Sequence, residues 1–319
     1  MSVAVETLQI SIVTVCMNRV RHLQKSAPLV SAWPYHQAHI IVDWSSDIPV
    51  KREDLPDDSR IQLVRVDGES SWNPSLAYNF SISLVKTRLV IRMDADCWPC
   101  LDFNPYTLLS ENSVWVGSGG EGRYGQFLMP LNTFWLVGGF NEYMSGWGFE
   151  DKDLRFRLSC QHQVVLKEFR NSSIGVLLHS NSERMHVSGF CSNERALAAL
   201  RASRLRNRLI AAYCPWGPHT PRSTYLQSNN SWTLSVSSRP ELSEELNRQL
   251  SQISRRCFWG SFLALPEIVV ELLPERLLPA MNQERWLVRW WHLFYALTFR
   301  PFLLIPARCL SFLKGIASQ

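Results

Sequence analysis

Asp94-Ala95-Asp96 is the first group of residues in this sequence whose spacing could support metal chemistry. It directly follows the apolar run Arg88–Met93, which is typical of a buried strand. Two carboxylates one residue apart can face the same cleft, and Mg²⁺ or Mn²⁺ commonly takes one or two carboxylates together with substrate phosphates. An Asp-x-Asp motif is frequent by chance, so its position at a strand end is what indicates a metal site.

The second group joins two carboxylates to a tryptophan: Gly146-Trp147-Gly148 stands just before Glu150-Asp151. A carboxylate at such a position can serve as a general base, and a Trp flanked by glycines offers a flat apolar face to a sugar ring. A core Trp beside the start of a helix explains the same residues equally well. The helix predicted from Glu150 has its carboxylates where a helix N-terminus favours them.

Two histidines could complete a metal site. His179 ends the apolar run that starts at Ile174, and His186 follows it. Neutral imidazole is a common metal ligand, although a single His is more often structural. The residues leave the choice between the two open.

Strands alternate with helices over the first hundred residues, which predicts an α/β fold with a mostly parallel sheet flanked by helices. Ligands bind beyond the carboxyl ends of such strands, and two predicted strands end in acidic residues, Asp43 and the pair Asp94/Asp96. The predicted strands are Ile10–Cys16, His39–Asp43, Ile61–Val66 and Arg88–Met93; the predicted helices are residues 19–27, ended or kinked by Pro28, and 74–86, capped by Asn73.

The later part of the chain predicts a catalytic domain over residues 1–213 and a C-terminal extension, helical and membrane-associating, over residues 214–319. Glycines between 117 and 125 match no phosphate-binding fingerprint and indicate turns between short strands. Further strands are predicted at 164–166 and 174–179, and a helix at 193–213. The Ser/Asn-rich stretch that ends near Ser238 is interpreted as a linker or exposed loop.

The net charge of +5 is concentrated in the tail, which has eight Lys/Arg against four Asp/Glu from Arg255 onward. No basic stripe or recognition motif indicates nucleic acid, whereas basic and aromatic residues from Phe258 suit a helix lying in a membrane surface. An ordinary helix packed on the core is the alternative. No uncharged apolar run reaches the length of about 18 residues expected of a spanning helix.

Eight scattered cysteines and an N-terminus without a signal-peptide pattern favour a cytoplasmic protein with free thiols, peripheral on the inner membrane face. Cys97-Trp98-Pro99-Cys100 has the spacing of a redox or zinc motif. No second pair at similar spacing accompanies it, so plain thiols are the favoured interpretation.

Residues 11 to about 184 resemble the family 2 glycosyltransferases and the related galactosyltransferase C-terminal domain, both of the GT-A (nucleotide-diphospho-sugar transferase) fold. The order and spacing of the matching pieces are more specific than any one of them. These pieces are Ser11–Val15, Ile40–Asp43, Ala77–Asn79, Asp94–Asp96, Gly138–Glu142 and Gly146–Asp151.

The resemblance implies a metal-dependent, inverting transfer of a sugar, with UDP-sugar as the default donor, to a glycan acceptor in polysaccharide or glycan synthesis. It implies Mn²⁺ or Mg²⁺ as cofactor. It also implies the roles of single residues: donor contacts from Asp43, Asn79 and Asp94; metal ligation by Asp96 and His179; acceptor contacts from Trp147 and Gly148; and base catalysis by Asp151 with Glu150.

Two positions depart from the galactosyltransferase pattern: Phe149 replaces a third Gly, and Lys152 replaces a further Asp. Because of these two departures, the resemblance does not predict which acceptor the chain uses. The alternatives are a non-catalytic sugar- or nucleotide-binding relative, against which Asp96 and Asp151 argue, and a nucleotidyltransferase, which would want a Gly-rich loop where Asn18–Arg21 has no Gly.

Overall fold

The computed structural model describes residues 9–108, 113–118, 122–179, 193–228, 230–237, 242–248 and 250–251. The chain divides into two compact units. The first contains residues 1–145, 150–188 and 216–239, and the second contains residues 146–149, 189–215 and 240–319. His186 and the tail from Phe258 lie outside the described residues, so their predicted roles and the domain boundary at 213/214 stay predictions.

A nine-stranded sheet organises the first unit, and the predicted α/β class with a mostly parallel sheet flanked by helices is confirmed. The strands are β1 Ile10–Cys16, β2 Ala38–Trp44, β3 Ile61–Asp67, β4 Leu89–Arg92, β5 Cys97–Pro99, β6 Ser113–Val116, β7 Phe127–Pro130, β8 Val165–Glu168, β9 Ile174–Val176, β10 Thr224–Ser228 and β11 Ser231–Val236. The strand order is β10-β11-β3-β2-β1-β4-β7-β6-β8, and β5 pairs separately with β9.

Helices pack on both faces of the parallel part of this sheet. They are α1 Val20–Ala32, α2 Pro74–Ser83, α3 Leu131–Leu136 and α4 Glu150–Ser159, and short 3₁₀ turns lie at Arg52–Asp54, Pro105–Thr107 and Asn171–Ser173. β1 is buried at every position, as its β-branched run predicts. Val13 and Val15 join one core cluster, whereas Ile10 and Ile12 join another, because successive side chains of a strand point to opposite faces.

The predicted start of α2 is confirmed. The Asn73 side chain accepts a hydrogen bond from the Leu76 N–H at 3.2 Å, and Pro74 occupies the first turn, where its missing N–H removes no helix bond. Of the two effects predicted for Pro28, an end of the helix is wrong, because α1 continues to Ala32 with Pro28 inside it. Burial of Ala27 and Val30 on either side of the proline offsets its cost of about 3 kcal/mol.

The interpretation of the Ser/Asn-rich stretch as a linker is wrong for Thr224–Val236. This segment forms the β10–β11 hairpin, and β11 extends the sheet by pairing in parallel with β3. Tyr225 and Trp232 hold the hairpin in place, with ring centroids 4.9 and 5.4 Å from that of Phe80. Aromatic packing therefore outweighs the local preference of the polar residues for a loop.

The described part of the second unit contains α5, Asn193–Tyr213, and the loop 146–149. The Gly148 carbonyl accepts a hydrogen bond from Asn207 Nδ2 at 2.7 Å. A Cβ at Gly146, whose φ is 70°, would come within 2.6 Å of the Ser203 hydroxyl. Both the close approach and the left-handed backbone therefore require glycine there.

Candidate active site

The strand order places the acidic residues on one edge of the sheet but not on adjacent strands. β1 lies between β2, which carries Asp43, and β4, which leads into Asp94 and Asp96. Neighbouring strands lie about 4.8 Å apart, so Asp43 is roughly 10 Å across the sheet from the Asp94 turn. The residues therefore form separate local networks.

Asp43 is fully buried, and its carboxylate accepts hydrogen bonds from nearby residues of the same chain. Its Oδ1 accepts from the Ser46 N–H at 3.2 Å, and its Oδ2 accepts from the Val50 N–H at 2.9 Å and from Arg65 Nη1 at 2.6 Å. The carboxylate thus holds the loop after β2 and the side chain of Arg65. Its contact with a nucleotide base stays a prediction.

Asn79 likewise makes internal bonds. Its Nδ2 donates to the Phe140 carbonyl at 2.9 Å and to Glu142 Oε1 at 2.8 Å, and its Oδ1 accepts from the Phe140 N–H at 2.8 Å. The amide therefore fixes the loop that leads toward α4. Its predicted role in donor binding is not tested by these contacts.

The turn at Asp94-Ala95-Asp96 is held from several directions. The buried Ser26 hydroxyl of α1 donates to the Ala95 carbonyl at 2.7 Å, and the Cys97 N–H donates to the Asp94 carbonyl at 2.9 Å. The Leu177 N–H donates to the Asp96 carbonyl at 2.8 Å and so continues the β5–β9 ladder. This ladder brings the chain after β9 beside Asp96.

Asp96 and His179, the two metal ligands that the family resemblance implies, are in contact, and their binding of a metal stays a prediction. His179 Nε2 lies 2.6 Å from Asp96 Oδ2, and the side chains are 5% and 12% exposed. Burial raises the pKa of Asp96, but the hydrogen bond and charge of His179 outweigh burial, and the net pKa is lowered. Described residues include no group of three or more His, Cys, Asp or Glu side chains that could hold a metal alone.

The donor set of this pair fits a divalent cation whose remaining ligands come from a substrate. One carboxylate oxygen and one imidazole nitrogen converge in a mostly buried place, and Mn²⁺ accepts both kinds of ligand. Mg²⁺ is bound through oxygen and keeps several waters.

Asp94 belongs to a second cluster, which we call the Arg92 cluster: Tyr78, Arg92, Asp94, Gln126 and Asp151. Asp94 Oδ1 accepts from the Tyr78 hydroxyl at 2.5 Å and from Arg92 Nη2 at 3.1 Å. Its Oδ2 accepts from Gln126 Nε2 at 2.8 Å, and its N–H donates to Gln126 Oε1 at 3.0 Å. Both carboxylate oxygens of Asp94 are therefore bonded within the protein.

Arg92 connects this turn to the predicted base. Its Nη1 lies 2.5 Å from Asp151 Oδ1, and Asp151 is the second residue of α4. The Asp151 side chain is 21% exposed, and within the described part of the chain no hydrogen bond occupies its Oδ2.

Glu150 differs from its neighbour. Burial and the negative charge of Asp151 raise its pKa to about 8, and among the described residues its Oε2 has no hydrogen-bond partner. Glu150 therefore holds a proton at neutral pH, whereas Asp151 faces Arg92. The two predicted catalytic carboxyl groups lie next to each other in the chain but in opposite electrostatic environments.

Trp147 and Gly148 belong to the second unit, and their predicted contact with the acceptor stays a prediction. Phe149 has a φ of 79°, in the left-handed region that costs an L-residue about 1–2 kcal/mol. This is the position where the galactosyltransferase pattern has glycine. The departure from the pattern is therefore also a place of backbone strain.

The thiols of Cys97 and Cys100 cannot form a disulfide in this conformation. Residues 97–99 are a strand, so three steps of about 3.3 Å place the two Cα atoms roughly 10 Å apart, beyond the limit of about 7 Å. Burial raises the pKa of Cys97 well above its usual value. Both findings agree with plain thiols.

Sequence reasoning missed Arg92, Gln126 and Tyr78. A charged residue in a strand that is otherwise apolar was the one available signal, because such residues are almost never fully buried unless paired. Gln126 gave none, since its contact with Asp94 joins residues 32 positions apart.

No protein-family model matches the chain, and no curated protein sequence matches it. Solved structures show a distant likeness. Drosophila β1,4-galactosyltransferase 7, as a mutant complex with manganese, UDP-Gal and xylobiose, is 13% identical with a TM-score of 0.46, and the match covers 78% of this chain and 99% of that one. Its catalytic domain with xylobiose gives 13% and 0.43, covering 78% and 98%.

GalNAc-T7 with UDP, GalNAc and Mn²⁺ gives 13% identity and a TM-score of 0.45, over 65% of this chain and 48% of that one. What the site can do chemically rests on its own geometry.

Proposed function

We propose that the chain is an inverting glycosyltransferase of the GT-A fold that moves a sugar from a nucleotide diphosphate donor to a carbohydrate hydroxyl. The observation that carries this proposal is the link from Asp94 through Arg92 to Asp151. It joins a predicted base to the turn that also presents the Asp96–His179 pair. Base and cation site thus share one edge of the sheet, where ligands of parallel sheets bind.

Asp96 and His179 would hold the cation, with Mn²⁺ preferred for its tolerance of nitrogen. A cation bound there supplies Lewis-acid stabilisation of a departing diphosphate, worth several kcal/mol. Asp96 Oδ2 and His179 Nε2 share a hydrogen bond of 2.6 Å, so a bound cation would replace that bond and displace its proton. UDP is the default nucleotide by the family resemblance.

Asp151 takes the proton of the acceptor hydroxyl. Arg92 fixes its Oδ1, which leaves Oδ2 for the hydroxyl. The deprotonated oxygen attacks the anomeric carbon from the face opposite the diphosphate, so the configuration inverts and no covalent intermediate forms on the protein. Glu150, protonated near neutral pH, adds no second negative charge beside the base.

Trp147, with Gly148 beside it, would place an apolar ring against the acceptor sugar. The acceptor class is a carbohydrate in polysaccharide or lipid-linked glycan synthesis. Attachment to the cytoplasmic face of a membrane follows from the basic, aromatic tail. No helix in the described ranges has the length and apolar character needed to cross a membrane.

Nucleotide release from a panel of nucleotide sugars tests the function directly. Purified protein with Mn²⁺ should release nucleotide from one donor, and both chelator and Asp96→Ala should abolish that release. Asp57→Ala is the matched control, because Asp57 is exposed and precedes β3, at the opposite edge of the sheet.

Release that survives Asp96→Ala would remove Asp96 from the site. Metal-dependent nucleotide binding without release from any donor would overturn the enzyme proposal and support a binding relative.

A further inference from the structure

Arg92 is a buried charge at the last position of β4, with 4% of its side chain exposed. An arginine in the interior loses several kcal/mol of hydration, which only well-placed partners recover. Its pKa lies well above the usual value, since Asp151 and Asp94 outweigh the effect of burial. The site therefore contains a buried cation that has lost its hydration.

Two aromatic rings fix the guanidinium. Its central carbon lies 4.0 Å from the ring centroid of Tyr78 and 5.3 Å from that of Phe140. Cation–π contacts of this kind hold a planar guanidinium better than a Lys ammonium, which is a flexible point charge. The two rings therefore fix the direction in which the Arg92 N–H groups point.

One end of the Arg92 contact is an anchor. Asp94 is bonded to Tyr78, Gln126 and Arg92, and the turn around it is held by α1 and β9. The other end is Asp151. Among the described residues, Arg92 is the residue with which Asp151 forms an ion pair. The position of Asp94 is therefore transmitted to Asp151 through one guanidinium.

We propose that Arg92 is the positioning residue of this active site. It bonds to both Asp94 and Asp151, and so aligns the Asp151 carboxylate with the turn at Asp94–Asp96. The inference rests on the proposed function. Removing the bridge leaves both carboxylates in place but lets Asp151 rotate about its own side chain.

Arg92→Lys tests the bridge while keeping the charge. A lysine cannot bond both carboxylates in the fixed fork of an arginine, so kcat should fall by roughly 10²-fold, the cost of about a 1 Å misplacement of a reacting group. The donor KM should change little, because Asp96, His179 and the Asp94 turn keep their other contacts.

Arg157→Lys is the matched control. Arg157 is also mostly buried and pairs with Asp153 at 2.8 Å on the same helix, so it reproduces the loss of a buried Arg–Asp pair away from the reacting groups. Its kcat should stay near wild type. Equal falls in kcat for the two variants would reduce Arg92 to a structural residue and overturn the proposal.

Two further variants guard against a folding defect in Arg92→Lys. Arg92→Ala should lower the melting temperature, because Asp94 and Asp151 lose their buried counter-ion. Millimolar guanidinium chloride, which can occupy the vacated space, should partly restore kcat in the folded variant. Gly125→Ala removes no charge, but its new Cβ would lie 3.1 Å from both Arg92 Nη2 and Asp151 Oδ2. It should lower kcat through displacement of the pair, with the donor KM retained.

The readouts separate the two proposals. A wild-type protein that releases nucleotide in a metal-dependent way, together with an unaltered kcat in Arg92→Lys and Gly125→Ala, would overturn only the positioning role. A wild-type protein without turnover on any donor would overturn the function and the positioning role together.

Discussion

Two buried polar clusters lie at opposite ends of the parallel strands. One of them holds ionised side chains, whereas the other holds neutral histidines. At the carboxyl ends, Arg92 stays ionised between Asp94 and Asp151. At the amino end of β2, burial followed by the charge of Arg60 lowers the pKa of His36 to about 4. Burial and the nearby His36 lower that of His39 to about 3.

The difference shows where the fold tolerates an electrostatic cost. His39 is neutral, is bonded to Thr14 Oγ1 at 3.0 Å, and needs no counter-ion. A buried ion pair is often no more stabilising than apolar residues of the same volume. The proposed function accounts for the charges retained at the carboxyl ends, whereas packing accounts for the neutral histidines at the amino end.

Asp151→Asn, in the cluster at the carboxyl ends, should cause the largest loss of activity. The change keeps the shape and one acceptor oxygen for Arg92 but removes the base, so kcat should fall by about 10²–10⁴. Asp153→Asn, in the first turn of the same helix and paired with Arg157, is the control. Steady-state kinetics showing equal losses for both variants would contradict the assignment of the base.

Glu150→Gln should alter the pH dependence of stability. The folded chain holds this proton up to about pH 8, whereas the unfolded chain loses it near 4.5. Unfolding therefore releases a proton between these values, and the wild-type free energy of unfolding should fall as pH rises through them. Urea titrations should show a flatter slope for the variant; an unchanged slope would place the proton elsewhere.

His39→Gln should give an effect of opposite sign at the amino end, because the pKa of His39 is lowered where that of Glu150 is raised. The folded chain takes up this proton only near pH 3, whereas the unfolded chain takes it up near 6.5, so stability should fall as pH falls between them. Other carboxylates titrate in the same range and dilute the change. The variant should lose less stability in acid than wild type, and exposed His162→Gln should match wild type.

Several features of the site could be predicted because they depend on local pattern. The β-branched run of β1, the N-cap at Asn73 and the acidic turn after β4 are short-range features. The pairing of Asp96 with His179 is implied by the family resemblance alone, because the residues themselves leave His179 and His186 as alternatives. The hairpin 224–236 could not be predicted, since Tyr225 and Trp232 gain their stability only from Phe80, far away in the chain.

The sequence by itself determined the fold class and the chemical types at the site, because hydrophobic periodicity and carboxylate spacing are written in neighbouring residues. Only the tertiary structure decided the electrostatic environment of each carboxyl group. Glu150 and Asp151 are adjacent and chemically alike, yet one is buried with a raised pKa and the other meets Arg92. That difference arises from desolvation and from a cation 59 residues away.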